Sequence, residues 1–165
     1  MLSEPRIEAR TVQPYVAIRR EVKMGDIGPV LPPLHDSLLA WLNGQGVQPT
    51  GAPFFRYHLM DMDADRFVVD VGWPIAEPVT GEGEMFGDTL PAGQYAVILN
   101  TGPFDDLVSA HAALLEWGQA QCLTWQRSED GKTWGARVEH YITDPADEPD
   151  PQQWKTEVAF LVAER

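Results

Sequence analysis

A short stretch near the C-terminus combines a carboxylate with apolar and aromatic side chains. In WKTEVAFLVAE, residues 154–164, Glu157 shares one face of a predicted strand with apolar residues. Such a carboxylate either lies on a half-solvated face, beside Lys155, or meets a positive group inside a pocket. Asp70 raises the same question, since it lies in the middle of another β-rich segment, with Val68 and Gly72 as same-face neighbours.

Large aromatic residues accompany these acids on the predicted strands and on the second predicted helix. They are Tyr57, Trp73, Tyr95, Trp117, Tyr141 and Phe160. Each of them alone is typical of a hydrophobic core. Together with a carboxylate they can instead hold a lipophilic cation, because the rings stack on the ligand while the acid supplies the opposite charge. We therefore predict a ligand site built from Glu157, Tyr141, Trp73, Tyr95, Trp117 and Tyr57.

Other kinds of chemistry have little support in the sequence. The four histidines are scattered, none pairs at i, i+4, and there is no Cys-x-x-Cys motif, so no metal site is expected. His111 is expected to be a hydrogen-bonded core or boundary residue. No nucleophile elbow and no strand–Gly-rich loop–helix motif is present, so a serine hydrolase triad and a phosphate cradle are both disfavoured. We expect no cofactor.

The elements that must position the aromatic and acidic residues follow a β-α-β-β order twice. The first half predicts a strand over 14–22, a helix over 32–46, and a hairpin over 53–60 and 65–75. Pro74 should either end the second strand of this hairpin or place that strand at an edge of the sheet. The second half predicts a strand over 93–100, a helix over 101–121, and a hairpin over 135–144 and 153–164.

Matched segments indicate that the two halves are a duplication. Leu38-Leu39-Ala40-Trp41 corresponds to Leu114-Leu115-Glu116-Trp117, and Val69-Asp70-Val71 to Thr156-Glu157-Val158. The spacing of about 80 residues indicates one duplicated unit rather than a repeat array. We predict an α+β fold, with a curved antiparallel sheet, two main helices related by pseudo-twofold symmetry, and a ligand cleft where the halves meet. Residues 1–165 are expected to form one domain, with halves at about 6–76 and 85–165.

Composition and charge restrict the class of partner. The chain has 165 residues, of which 12 are basic and 25 acidic, for a formal charge of −13. Such an acidic chain is not expected to bind nucleic acid directly. The absence of a long apolar run and of a signal peptide predicts neither a membrane span nor export, and the single cysteine, Cys122, fits a reducing cytoplasm.

Three stretches together resemble the GyrI-like small-molecule-binding domain, the effector-binding domain of multidrug-sensing transcription regulators in the SOUL-like superfamily. They are RYHLMDMDADRFVVDVGWPI (56–75), LPAGQYAVILNTGPFDDLVSAHAALLEW (90–117) and VEHYITDPADEPDPQQWKTEVAFLV (138–162). The resemblance implies a duplicated β-α-β-β fold with a cleft at the pseudo-symmetry axis, and its motif places the family's carboxylate on Glu157 and a tyrosine on Tyr141. Leu161 stands where the family often has proline, and we expect no helix-turn-helix within these 165 residues.

Three functions follow from this resemblance. The first is a stand-alone module that binds amphipathic, cationic or aromatic small molecules, for multidrug sensing or sequestration. The second is hydrolysis of reactive electrophiles, with Glu157 activating water and Tyr141 orienting the substrate. The third is a protein interaction with DNA gyrase, which some family members restrain. The expected partner is thus a lipophilic cationic small molecule, with a protein partner possible and neither nucleic acid nor membrane involved.

Overall fold

Eight strands form one antiparallel sheet in the computed structural model, which describes residues 1–164. The strands are β1 (Arg6–Arg10), β2 (Gln13–Val22), β3 (Phe54–Asp61), β4 (Arg66–Pro74), β5 (Met85–Leu90), β6 (Gly93–Thr101), β7 (Arg137–Tyr141) and β8 (Lys155–Leu161). The helices are α1 (Ile27–Val30), α2 (Pro32–Gly44) and α3 (Leu107–Ala120). The predicted α+β class, with its curled antiparallel sheet and two main helices, is confirmed.

The order of the strands shows the pseudo-twofold symmetry of the two halves. The sheet runs β1-β6-β8-β7-β3-β4-β2-β5, so that β6-β8-β7 of the second half mirrors β2-β4-β3 of the first. The first strand of each half is exchanged, because β1 pairs with β6 and β5 pairs with β2. Each half therefore supplies the edge strand that pairs with the other half, β1 beside β6 and β5 beside β2.

Strand register identifies the equivalent residues of the two halves. Phe54 pairs with Gly72 and Val138 pairs with Ala159, which makes Phe54 and Val138 equivalent. By the same comparison of strand pairing, Tyr57 is equivalent to Tyr141 and Asp70 is equivalent to Glu157. An irregularity between Tyr57 and Leu59 shifts the register of β3 against β4 by one residue beyond that point.

The sheet separates two cores. Helices α2 and α3 cover one face, where Leu38 and Leu42 pack on one half and Leu107 and Leu114 on the other. The opposite, curled face carries its own core, built around Tyr15, Phe54, Tyr95, Val138 and Leu161. Because side chains alternate along each strand, neighbouring residues of one strand belong to different cores.

Sequence periodicity predicted the two helices and six of the strands, including the end of β4 at Pro74. It missed β1 and β5, whose sequences RIEAR and MFGDTL are short, polar and largely exposed. Edge strands need few apolar residues, because only one side of such a strand is paired. Among residues 1–164, no helix is long and apolar enough to cross a membrane.

Candidate functional site

A cavity of about 1020 Å³ lies on the helix-covered face of the sheet. Its wall is formed by residues of α2, α3, β3, β4 and β7, together with segments 51–53 and 142–145. The cavity spans the junction of the two halves, where β3 pairs with β7. Its volume is at the upper end of the range for small-molecule sites.

Aromatic side chains from three neighbouring strands line the cavity. They come from alternate positions of neighbouring strands, and they are Phe55, Tyr57, Phe67, Trp73 and Tyr141. The rings of Phe55 and Tyr141 meet edge to face, with centroids 5.0 Å apart. An aromatic ligand entering this space would find rings on several sides.

A buried carboxylate, Glu139, lies among these rings. Only 6% of the residue is exposed, and its Oε1 accepts hydrogen bonds from the hydroxyls of Tyr141 at 2.6 Å and Tyr57 at 3.0 Å. Its Oε2 lies 2.6 Å from Nε2 of His111. Burial by itself raises the pKa of Glu139, but the hydrogen bonds outweigh this effect and the pKa lies below its usual value. Glu139 is therefore ionised at neutral pH.

The two tyrosines stay protonated as donors. Burial and then the charge of Glu139 raise the pKa of Tyr57 and of Tyr141 well above the usual value. At neutral pH both tyrosine hydroxyls therefore keep their protons, and the negative charge is on Glu139. Both hydroxyls donate to Oε1 and His111 approaches Oε2, so these three partners occupy three of the roughly four lone-pair sites of the carboxylate.

His111 links Glu139 to a buried arginine. Arg137 donates from Nε and Nη2 to Nδ1 of His111, at 3.1 and 2.8 Å. Because Nδ1 must accept these bonds, the proton of the neutral imidazole is on Nε2, where it is donated to Glu139. Arg137, His111 and Glu139 form a continuous chain of donors and acceptors.

Arg137 is held in place by two rings. Its guanidinium carbon lies 4.6 Å from the ring centroid of Trp134 and 4.5 Å from that of Phe160. Burial lowers the pKa of Arg137 to about 10, against the opposing effect of Glu139, so the side chain remains charged at neutral pH. The cavity thus contains its own ion pair, separated by one imidazole ring.

The first half of the cavity repeats this arrangement without the charges. His35 and His111 lie three residues before the matched leucines Leu38 and Leu114. The imidazole of His35 contacts Phe54 O at 3.0 Å and stacks on Phe55 at 5.3 Å. The position of the first half that pairs with Glu139 holds the ring of Phe55, so the first half has no buried carboxylate there.

Apolar and acidic side chains surround the mouth. The exposed apolar residues are Met24, Met62, Phe104, Val108 and Ile142, of which Met62 is 65% and Val108 76% exposed. Asp36, Asp105 and Asp144 line the same opening, and all three are exposed. The entrance therefore has negative charges, whereas the interior carries charges of both signs.

The fold brings half of the predicted site residues together. Tyr57, Trp73 and Tyr141 line the large cavity. Trp117 is half-buried against the core beneath α3, outside the cavity lining. Tyr95 lies on the opposite face, where its hydroxyl donates to Pro91 O at 2.7 Å.

Glu157 also lies on the face opposite to the cavity. Register places it directly across from His140, whereas Tyr141 pairs with Thr156 and points the other way. Its Oε1 accepts a 2.6 Å bond from Nη2 of Arg10, so Glu157 already has a cationic partner. The predicted combination of Glu157 with Tyr141 is not formed, and Glu139 takes the place beside Tyr141.

A smaller hollow of about 430 Å³ lies on this opposite face. Arg10, Tyr95 and His140 contribute to its wall. Gly51 and Ala52 line both spaces, so this loop separates the hollow from the large cavity. The Nε2 atom of His140 is enclosed and has no hydrogen-bond partner among residues 1–164.

Asp70, the equivalent of Glu157, belongs to a structural network. Its carboxylate is fully buried and accepts hydrogen bonds from the Tyr15 hydroxyl at 2.6 Å and from Arg19 at 2.7 and 3.1 Å. His58 Nε2 lies 2.7 Å away. Burial raises the pKa of Asp70, but the hydrogen bonds from His58 and Arg19 outweigh it and lower the pKa to about 2.

Sequence reasoning missed Glu139 and Arg137 and assigned His111 no part in the site. One signal was available, since Glu139 lies two residues before Tyr141 and therefore on the same strand face. Arg137 lies two residues further back on that face. The contact with His111 on α3 had no local signal, because it joins elements 26 residues apart.

Comparison with known proteins relates both the sequence and the fold to a family. Residues 3–163 match the family model of the GyrI-like small molecule binding domain. No curated protein sequence matches the chain significantly.

Solved structures share the fold at low sequence identity. The EcmrR C-terminal domain has a TM-score of 0.78 at 18% identity, over 98% of both chains. In the EcmrR–DNA complex the same match covers 58% of that chain. SAV2435 bound to tetraphenylphosphonium has a TM-score of 0.69 at 11% identity, over 98% of this chain and 94% of that one. A hydrolase from Listeria innocua has a TM-score of 0.63 at 13% identity, over 97% and 92%.

Proposed function

Since the chain belongs to the GyrI-like small-molecule-binding domain family, we propose that it binds amphipathic aromatic small molecules in the cavity between α2 and α3. The aromatic body of the ligand stacks on Phe55 and Trp73, and a donor group, cationic or neutral, meets Glu139. Binding serves sensing or sequestration.

The main support for the proposal is a buried carboxylate among the aromatic side chains that line the cavity. Glu139 lines the cavity with one lone-pair direction unused, next to Tyr57 and Tyr141. A hydrogen bond from a ligand to a charged acceptor is stronger than one between neutral groups. A donor that reaches Glu139 therefore gains both a directional bond and burial of its apolar part.

The similarity to SAV2435 bound to tetraphenylphosphonium suggests a probe. Titration of the protein with tetraphenylphosphonium, followed by tryptophan fluorescence, measures binding. Trp73 is the reporter, since it lines the cavity and its Nε1 donates to His35 O at 2.9 Å. We expect affinity in the micromolar range, about −8 kcal/mol, and loss of most of the fluorescence change in Trp73→Phe.

Matched carboxylate variants decide where the ligand binds. Glu139→Gln should weaken binding at least tenfold, because it removes the charge nearest to the ligand. Glu157→Gln should change affinity less than twofold, because Glu157 lies on the other face of the sheet. Equal effects of the two variants would contradict binding in this cavity.

Hydrolysis of an electrophilic ligand is the second candidate. A carboxylate flanked by two tyrosine hydroxyls can accept a proton from water while a hydroxyl donates to the leaving atom. The arrangement of Glu139 with Tyr57 and Tyr141 provides these groups within 3.0 Å. Mass spectrometry of recovered epoxide probes separates the two functions, since hydrolysis adds one water. Turnover no faster than in buffer would exclude this function for those substrates.

A further inference from the structure

The charge balance of the cavity is set by residues that contact one another. Glu139 carries a negative charge, Arg137 a positive one, and the neutral His111 joins them through bonds of 2.6, 2.8 and 3.1 Å. Glu139 therefore has its counter-charge within the protein. A ligand does not have to be cationic for this carboxylate to remain buried and ionised.

Arg137 is enclosed by the protein in this arrangement. The residue is 8% exposed, and the rings of Trp134 and Phe160 hold its guanidinium. Nη1 donates to no other group of residues 1–164, although Arg137 lines the cavity. The pKa of about 10 keeps the positive charge in place at neutral pH.

We infer that Arg137 determines the charge selectivity of the cavity. The charge of Arg137 balances that of Glu139 through His111, so the floor of the cavity has no net charge. This floor favours ligands with neutral or zwitterionic head groups, which offer a donor to Glu139 and an acceptor to Arg137. Simple lipophilic cations are disfavoured to the extent that the charge of Arg137 repels them. The inference rests on the proposed function, since it concerns ligands of the same cavity.

Two probes of the same shape and opposite charge test this role. Tetraphenylphosphonium and tetraphenylborate both place four phenyl rings around one central atom, so the ratio of their affinities reports charge and not size. Titrations in 0.3 M salt screen the distant acidic surface. A structural defect would weaken both probes alike, whereas a change of charge moves the ratio.

Variants of the ion pair should move this ratio in opposite directions. Arg137→Gln keeps an N–H donor for His111 and removes the charge, so the preference for the cation should rise about tenfold or more. Arg137→Lys keeps the charge and should leave the ratio within about threefold. Glu139→Gln should lower the preference for the cation by about tenfold. An unchanged ratio in Arg137→Gln would overturn the inference while the proposed function stands.

If Arg137→Gln does not fold, the charge preference of the cavity can be measured on the wild-type protein. A phenylalkyl amine, charged at neutral pH, is compared with the phenylalkyl amide of the same length. The inference expects the amide to bind at least as tightly as the ammonium. Tenfold tighter binding of the ammonium would overturn it, whereas failure of all four probes to bind the wild type would overturn the proposed function and the inference with it.

Discussion

Phe55 and Glu139 lie directly opposite each other in the central strand pair, at equivalent positions of the two halves. The pseudo-twofold axis passes between them, because Phe54 pairs with His140 on one side and Arg56 with Val138 on the other. The two halves therefore place an aromatic ring and a carboxylate at equivalent positions of the cavity floor. The two ends of a bound ligand consequently meet different surroundings.

The ion pair under the cavity should show strong energetic coupling. Glu139→Leu leaves the buried charge of Arg137 without its partner and should lower the free energy of unfolding by about 3 kcal/mol. The double variant Glu139→Leu, Arg137→Leu should lose less than the sum of the two single variants, by at least about 1 kcal/mol. Urea unfolding of the four proteins gives the coupling. Simple additivity would show that His111 does not link the two charges.

The equivalent acids Asp70 and Glu157 should differ in their contribution to stability. Asp70 is fully buried with several donors, so Asp70→Asn should lower the free energy of unfolding by about 2–4 kcal/mol. Glu157 and Arg10 retain some solvent contact, and Glu157→Gln should cost about 1 kcal/mol or less. Similar losses in the two variants, measured by urea unfolding, would contradict this difference.

Two helical glycines provide a packing test. A Cβ at Gly118 would lie 2.2 Å from the ring of Trp125, so Gly118→Ala should lower the unfolding free energy by about 2 kcal/mol through overpacking. At Gly44, the last residue of α2, a Cβ meets nothing within 4 Å. Gly44→Ala should therefore be neutral or stabilise the protein by up to about 1 kcal/mol. Thermal melts of both variants make the comparison, and an undisturbed Gly118→Ala would refute the predicted clash.

One buried histidine, His35, and one partly buried histidine, His140, should make the protein sensitive to mild acid. Burial lowers the pKa of His35 and of His140 to about 4. The unfolded chain binds these protons near pH 6.5 and the folded protein only near pH 4, so stability is complete above pH 6.5 and falls as the pH is lowered toward 4. His35→Gln or His140→Gln should each reduce the loss of stability between pH 7 and pH 5 by about 1–2 kcal/mol.

Urea unfolding at several pH values measures this effect. Between pH 7 and pH 8.5 both histidines are neutral in the folded and unfolded chain, so each variant should follow the wild type there. A variant that loses as much stability as the wild type between pH 7 and pH 5 would show that its histidine does not contribute.

Local sequence patterns were enough to predict the order of the main elements, the similarity of the two halves, and the aromatic positions Tyr57, Trp73 and Tyr141 of the cavity. These features depend on local periodicity, and a residue two positions along a strand shares its face whatever the rest of the chain does. The equivalence of Asp70 and Glu157 is of the same kind, because each lies at the matching place of its repeat.

Which acid enters the cavity could not be predicted, because it depends on how the helices pack on the sheet. Alternation divides each strand into two faces, but the helices that cover one face are placed by contacts distant in sequence, and they cover Glu139 and not Glu157. The exchange of β1 and β5 and the bond from Arg137 to His111 likewise join distant segments. Whether a buried charge acquires a partner therefore depends on how the two halves pack together, and no single stretch of sequence carries that information.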